Sequence, residues 1–248
     1  MTAPAQADPV QGLWIGRSLA PMQQLSIRSF VAQGHPFHLY AYDEVDGLPE
    51  GATLCDAATL LPRDAVFSYQ HGFGKGSYSA FSNLFRYRLL FEQGGWWVDT
   101  DVVCLAPFRF DDPIVIATET QEDGSVVTAS CVMRSPPGQP FLEHCARVSE
   151  ASDKEALQWS EIGPRLLGDA VRRFGLERHQ VAPGVFNPVH WFAYADIIAP
   201  GFDLDRIAQA RAVHLWNQMW RHHGLDPAVD AAPGSLYAHL VARVAGNR

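Results

Sequence analysis

The run SNLFRYRLLFEQGGWWVDTD, residues 82–101, passes from a helix through a forced stop into a strand and ends on two acids. Phe81, Leu84, Phe85, Leu89 and Leu90 recur at helical spacing between Ser79 and Gln93. Gly94-Gly95 stops that helix, and Trp96-Trp97-Val98 then reads as a buried strand running into Asp99-Thr100-Asp101. Residues two apart in a strand point to the same side, so the carboxylates of Asp99 and Asp101 are expected to converge. Two anions brought together lose solvation and repel one another. A hard divalent cation removes that cost, and Mg²⁺ typically takes one or two carboxylates and completes its shell with substrate phosphates. The pair therefore reads as a metal site completed by a diphosphate. The plainer alternative is that one Asp caps a turn while the other is solvated.

Asn83, Arg86 and Tyr87 lie three and four residues apart and share one face of the preceding helix. Arg86 is placed either to bond a sugar hydroxyl or phosphate oxygen, or to pair with Glu92 or a neighbouring Asp. Arg88 points elsewhere, as a surface charge. Upstream, a strand over Gly12–Gly16, a helix over Pro21–Gln33 and a strand over His35–Tyr42 form a β-α-β opening, which favours a parallel sheet. Residues 43–78 read as irregular. The glycines of His71–Ser77 match no phosphate-binding loop, and the stretch is expected to be a mobile loop near the site.

Downstream, strands are expected over 102–105, 114–118, 126–133 and 212–216, and helices over 139–149, 154–174 and 236–244. No repeat or linker interrupts them, so one domain over 1–248 is expected. Residues 1–110 would form mainly its ligand-binding half, and 111–248 mainly the opposite half. In open α/β sheets ligands gather outside the carboxyl ends of the strands, where Asp99 and Asp101 fall.

The chain has 248 residues, 47% hydrophobic and 19% charged, with 19 basic against 27 acidic residues and a net charge of −8. That composition is globular, and its charge repels nucleic acid. Arg172-Arg173 reads as a solvated helix face. MTAPAQADPV lacks the basic and apolar regions of a signal peptide, and no run approaches a membrane span. A cytoplasmic protein is expected, and peripheral contact with the inner face of a membrane is compatible with the sequence. Cys55, Cys104, Cys131 and Cys145 form no metal-binding spacing and read as reduced thiols.

The 82–101 run, with its Ser-Asn, Arg three residues on, Gly-Gly, aromatic and D-x-D, resembles the donor-binding signature of glycosyltransferase family 32. The resemblance implies a GT-A type α/β fold: a Rossmann-like, mainly parallel mixed sheet flanked by helices. It also implies a nucleotide-sugar donor, UDP-linked by preference, a glycan or glycolipid acceptor, Mn²⁺ or Mg²⁺, and retention at the anomeric carbon. Asp99 would contact ribose, sugar or metal, Asp101 would ligate the metal directly, Arg86 would hold sugar or phosphate, and Ser82, Asn83 and Trp97 would line the donor pocket. Where this chain has Asn83 the family usually has Asp. Leu13-Trp14-Ile15-Gly16 resembles the first strand, with Trp14 either stacked on the base or part of the core and Gly16 admitting close backbone approach. Ile162-Gly163-Pro164 resembles a Gly-Pro element of the family. His214-Leu215-Trp216-Asn217 resembles its C-terminal H-x-W segment, implying His214 or Asn217 as a further metal contact and Trp216 as a donor contact. Lys75 is a candidate beside Arg86 for the leaving phosphates, and Glu119 for the nucleophile of a double displacement. A nucleotide-sugar hydrolase and a non-catalytic binding module are the alternatives.

Overall fold

The computed structural model describes residues 8–246; positions 1–7, most of the stretch weighed above as a leader, lie outside them. Its sheet has six strands in the order β3-β2-β1-β4-β7-β6. These are β1 Val10–Trp14, β2 Phe37–Ala41, β3 Ala52–Asp56, β4 Gly95–Val98, β6 Val115–Thr120 and β7 Val126–Ser135. β1 pairs in parallel with β2 and β4, and β2 with β3, while β7 runs antiparallel between β4 and β6. β5 Val102–Cys104 and β8 Ala212–His214 form a separate antiparallel pair. The helices are α1 Pro21–Ala32, α2 Ser79–Glu92, α3 Pro140–Ala151, α4 Leu166–Phe174, α5 Pro183–Phe186, α6 Asn217–His223, α7 Pro227–Asp230 and α8 Leu236–Gly246. The architecture is the mixed α/β sheet flanked by helices that the resemblance implies. Among the described residues no helix is long and apolar enough to cross a membrane.

Strand alternation divides the apolar residues between the two faces of the sheet. Trp96 and Leu39 pack on one face with Ile27 and Phe30 of α1, and Trp97 and Tyr40 on the other with Phe81, Phe85 and Leu89 of α2. A third cluster joins Met22 and Leu25 of α1 to Leu240 and Val244 of α8.

The structure departs from the sequence reading at four places. β3 lies within the stretch read as irregular; it is a short edge strand whose only apolar alternation, Ala52 and Leu54, is half-buried and sits among Gly, Pro and Asp. The helix expected over 154–174 begins only at Leu166. Pro164 has no N–H for a helix interior, and Gly163 takes the non-helical angles φ −107° and ψ −121°. The first strand ends at Trp14, before Gly16. The strand expected to reach Trp216 ends at His214, because Trp216 adopts φ 58°.

Gly94 makes the break between α2 and β4. Its φ is +68°, and a Cβ there would lie 2.7 Å from Pro137 Cδ and 2.9 Å from the Ser135 carbonyl. Gly94→Ala is expected to cost about 2 kcal/mol or more, combining left-handed strain with overpacking, and urea denaturation would measure it.

Candidate functional site

At the carboxyl ends of β1 and β4 opens a cleft of about 1490 Å³, lined by residues from Leu13 to Arg221. Asp99 and Asp101 lie in the turn between β4 and β5, not in a strand. The Val102 N–H closes that turn onto the Asp99 carbonyl at 3.0 Å. Their convergence thus comes from the turn. One oxygen of each carboxylate and one ring nitrogen of His214 lie within 4.8 Å of one another.

Each member of this group is held by neighbours. Arg86, only 2% exposed, pairs with Asp99 Oδ1 at 2.8 Å, and the Trp97 indole N–H donates to the same oxygen at 2.9 Å. The guanidinium also bonds the Ser130 carbonyl and the Ser82 Oγ (3.3 Å), and lies over the Trp97 ring at 4.9 Å. Arg86 is therefore an anchor for Asp99. On the far side, His214 Nε2 lies 3.2 Å from Asp101 Oδ2, and the Asn217 backbone N–H donates to the same oxygen at 2.8 Å. β8 delivers His214 beside the turn by pairing with β5, with Val102 opposite His214. The His214 and Trp216 rings meet at 3.9 Å between centroids, and the Trp216 indole is fixed on the Val189 carbonyl at 2.9 Å.

The electrostatics follow from these contacts. Burial raises the pKa of Asp99 and Arg86 opposes it, while the nearby Asp101 adds to the rise. Burial acts the same way on Asp101, but His214 and the Asn217 N–H outweigh it and hold this carboxyl below its ordinary range. Burial disfavours charge on His214, yet Asp101 overcomes it and raises the imidazole well above its usual value. Two carboxylate oxygens beside an imidazole make a mixed hard and borderline donor set, which suits Mn²⁺ and accommodates Mg²⁺ less well. His214 Nδ1 is buried without a hydrogen-bond partner. The residues present therefore fit a divalent ion.

Most of the other expected residues reach the cleft. Ser82, Asn83, Arg86, Trp97, Trp14, Ile15, Trp216 and Asn217 all form part of its wall. Asn83 is buried, accepts a bond from Ser130 Oγ at 3.4 Å, and packs so closely on Gly163 that a Cβ there would meet its Nδ2 at 2.6 Å. Trp14 is partly exposed, its indole N–H on the Ser18 carbonyl at 3.1 Å. Asn217 holds Asp101 through its backbone and lines the cleft beside it. Gly16 is absent from the wall; its φ of +147° lets the chain turn beneath Trp14, whose Nε1 would lie 3.2 Å from a Cβ there. Lys75 is exposed, and Phe73, Gly76 and Ser77 line the cleft in its place. Arg88 is not a free surface charge but ties α2 to Glu150 of α3. Glu119 lies in the wall, its pKa raised by burial.

Sequence reasoning missed the Ser130 carbonyl that receives Arg86, and also Tyr69, Trp159 and Arg165 in the wall. A backbone acceptor leaves no mark on residue type. Arg172, read as solvated, is exposed and paired with Asp169, yet both line the cleft.

Residues 55–121 match the family described as "Glycosyltransferase sugar-binding region containing DXD motif". On this match the chain is a sugar-transferring enzyme. No curated protein matches the sequence. Among solved structures the chain is similar to one described as "PaToxG Glycosyltransferase", at 13% identity and a TM-score of 0.52, over 97% of this chain and 86% of that one. It is also similar to apo-form glycosyltransferase GlyE of Streptococcus pneumoniae TIGR4, at 11% identity and a TM-score of 0.46, over 96% and 64%. The first likeness is one of fold.

Arg86→Ala would leave Asp99 without its ion partner and the Ser130 carbonyl unsatisfied, a loss of roughly 3 kcal/mol. Trp97→Phe removes only the indole donor and should cost about 1 kcal/mol. Chemical denaturation of both variants checks this order.

Proposed function

We propose that the protein is a metal-dependent hexosyltransferase of family 32 type. It would take a hexose from a UDP-linked donor and pass it, with retention of anomeric configuration, to a glycan or glycolipid acceptor. The observation that carries the reading is the meeting of Asp99, Asp101 and His214 within 4.8 Å, in a cleft whose acid pair lies inside the matched region.

A bound Mn²⁺ or Mg²⁺ would supply positive charge to the donor diphosphate and ease its departure as a Lewis acid. Asp101 and His214 would hold that ion, with Asp99 beside them. Arg86 and Trp97 keep the Asp99 carboxylate aimed into the cleft, so the donor sugar meets a preorganised acceptor of hydrogen bonds. Trp14 and Ile15, at the carboxyl end of β1, would flank the base, and Trp216, Ser82 and Asn83 the sugar. In a front-face route the departing phosphate accepts the acceptor's proton. Glu119 is the carboxylate available for a double displacement.

The chain would act as one domain. Residues 1–110 would supply most of the donor end, and His214 would cross over from the 111–248 half. Cys104, Cys131 and Cys145 are buried and unbridged, in keeping with work in the cytoplasm, at the inner membrane face when the acceptor is lipid-linked.

Release of UDP and transfer of radiolabelled hexose, measured across nucleotide sugars with Mn²⁺, Mg²⁺ or chelator, test the reading. Chelation, Asp101→Ala and His214→Ala are each expected to lower transfer by at least about a hundredfold. Near-normal transfer by Asp101→Ala would refute the scheme. Free hexose as sole product would favour a hydrolase, and donor binding without turnover a binding module.

A further inference from the structure

We infer that Trp159 is a stacking platform for a sugar ring of the acceptor, which makes the acceptor an oligosaccharide and not a peptide; this rests on the transferase reading above. Trp159 forms part of the cleft wall and leaves 38% of its surface open, although tryptophan is usually well covered. The ring is held firmly. It lies 5.3 Å from Tyr69 and meets Phe73 edge-on at 5.1 Å. The backbone at Gly74 packs flush against it, so that a Cβ there would come within 2.5 Å of the indole. The next residue, Ser160, also in the wall, adopts φ 71°, a left-handed conformation that costs a non-glycine residue free energy. Core packing does not account for a rigid, open indole next to a strained residue.

Its place relative to the acid pair also suits an acceptor. The Tyr69 hydroxyl lies against the Ser160 backbone, and Tyr69 and Arg86, the anchor of Asp99, line the same cleft. Trp159 and the acid pair thus line one cleft. The cleft, at about 1490 Å³, exceeds the roughly 300–1,000 Å³ usual for one small ligand, leaving room beyond a donor. Arg165, just before α4, and the ion-paired Asp169 and Arg172 of α4 line the same cleft. A pyranose has an apolar face of C–H groups and a rim of hydroxyls. The exposed part of the indole offers the first, and the charged groups in the same wall offer partners for the second. A lipid chain would need a continuous apolar channel, and a peptide hydroxyl needs no flat platform.

The test uses the full chain with Mn²⁺ and its turned-over donor, offering free gluco-, galacto- and manno-oligosaccharides, the same glycans on a lipid carrier, and Ser-, Thr- and Tyr-containing peptides. Trp159→Ala is expected to raise the acceptor KM about tenfold or more, with kcat at saturation changed less than about threefold. Trp159→Phe, which keeps a ring against Tyr69 and Phe73, should fall between. UDP affinity by calorimetry and the thermal midpoint report whether each variant is intact. A lipid-linked glycan with the same dependence on Trp159 would identify the same ring contact in a glycolipid. Equal acceptor KM in all three proteins, or acceleration by peptides in place of saccharides, would overturn the inference. If the wild type neither binds UDP nor turns over any donor, the transferase reading itself fails. The platform is then judged by saccharide quenching of the fluorescence that Trp159→Phe removes, and no quenching refutes it.

Discussion

A guanidinium that is 2% exposed cannot remain unpaired, and in this protein Arg86 resolves its burial by gripping Asp99, the Ser130 carbonyl and Ser82 at once. That contact ties α2 to the turn after β4 and to β7, adding a charged link to the β4–β7 ladder and the Ser130–Asn83 hydrogen bond. Because the Trp97 indole donates to the same carboxylate oxygen, Asp99 keeps one direction whether or not anything occupies the cleft. A preoriented carboxylate spares the reorganisation that a flexible one would undergo on ligand binding.

The second acid is fixed by other means and from further away. Asp101 receives the Asn217 N–H from a residue 116 positions later, and His214 reaches it through the short β5–β8 ladder. Repulsion between the carboxylates is therefore met from two sides, by Arg86 at Asp99 and by His214 at Asp101. The arrangement divides the charge so that each acid has its own cationic partner.

Much of this was legible in the residues because it depends on patterns of known period. The helical spacing of Phe81, Leu84 and Phe85, the Gly94 stop and the Trp96-Trp97 strand appear where the spacing places them. The pairing of Asp99 with Asp101 was foreseen, but for the wrong local reason, since a turn and not a pleat brings them together. Illegible features depend on contacts distant in sequence. β3 shows only the short alternation of Ala52 and Leu54, Trp216 leaves the strand for a left-handed conformation, and the Ser130 carbonyl has no side-chain signature. The helix expected over 154–174 starts only at Leu166 because Pro164 and the non-helical Gly163 interrupt it.

The β5–β8 pairing has a consequence for the protein during its own synthesis. Every strand of the six-stranded sheet is complete by Ser135, so a nascent polypeptide can build that platform, with the acid pair in place, while the ribosome is still making the segment from Ala212 onward. Until that segment emerges and docks, the two acids lack their imidazole neighbour.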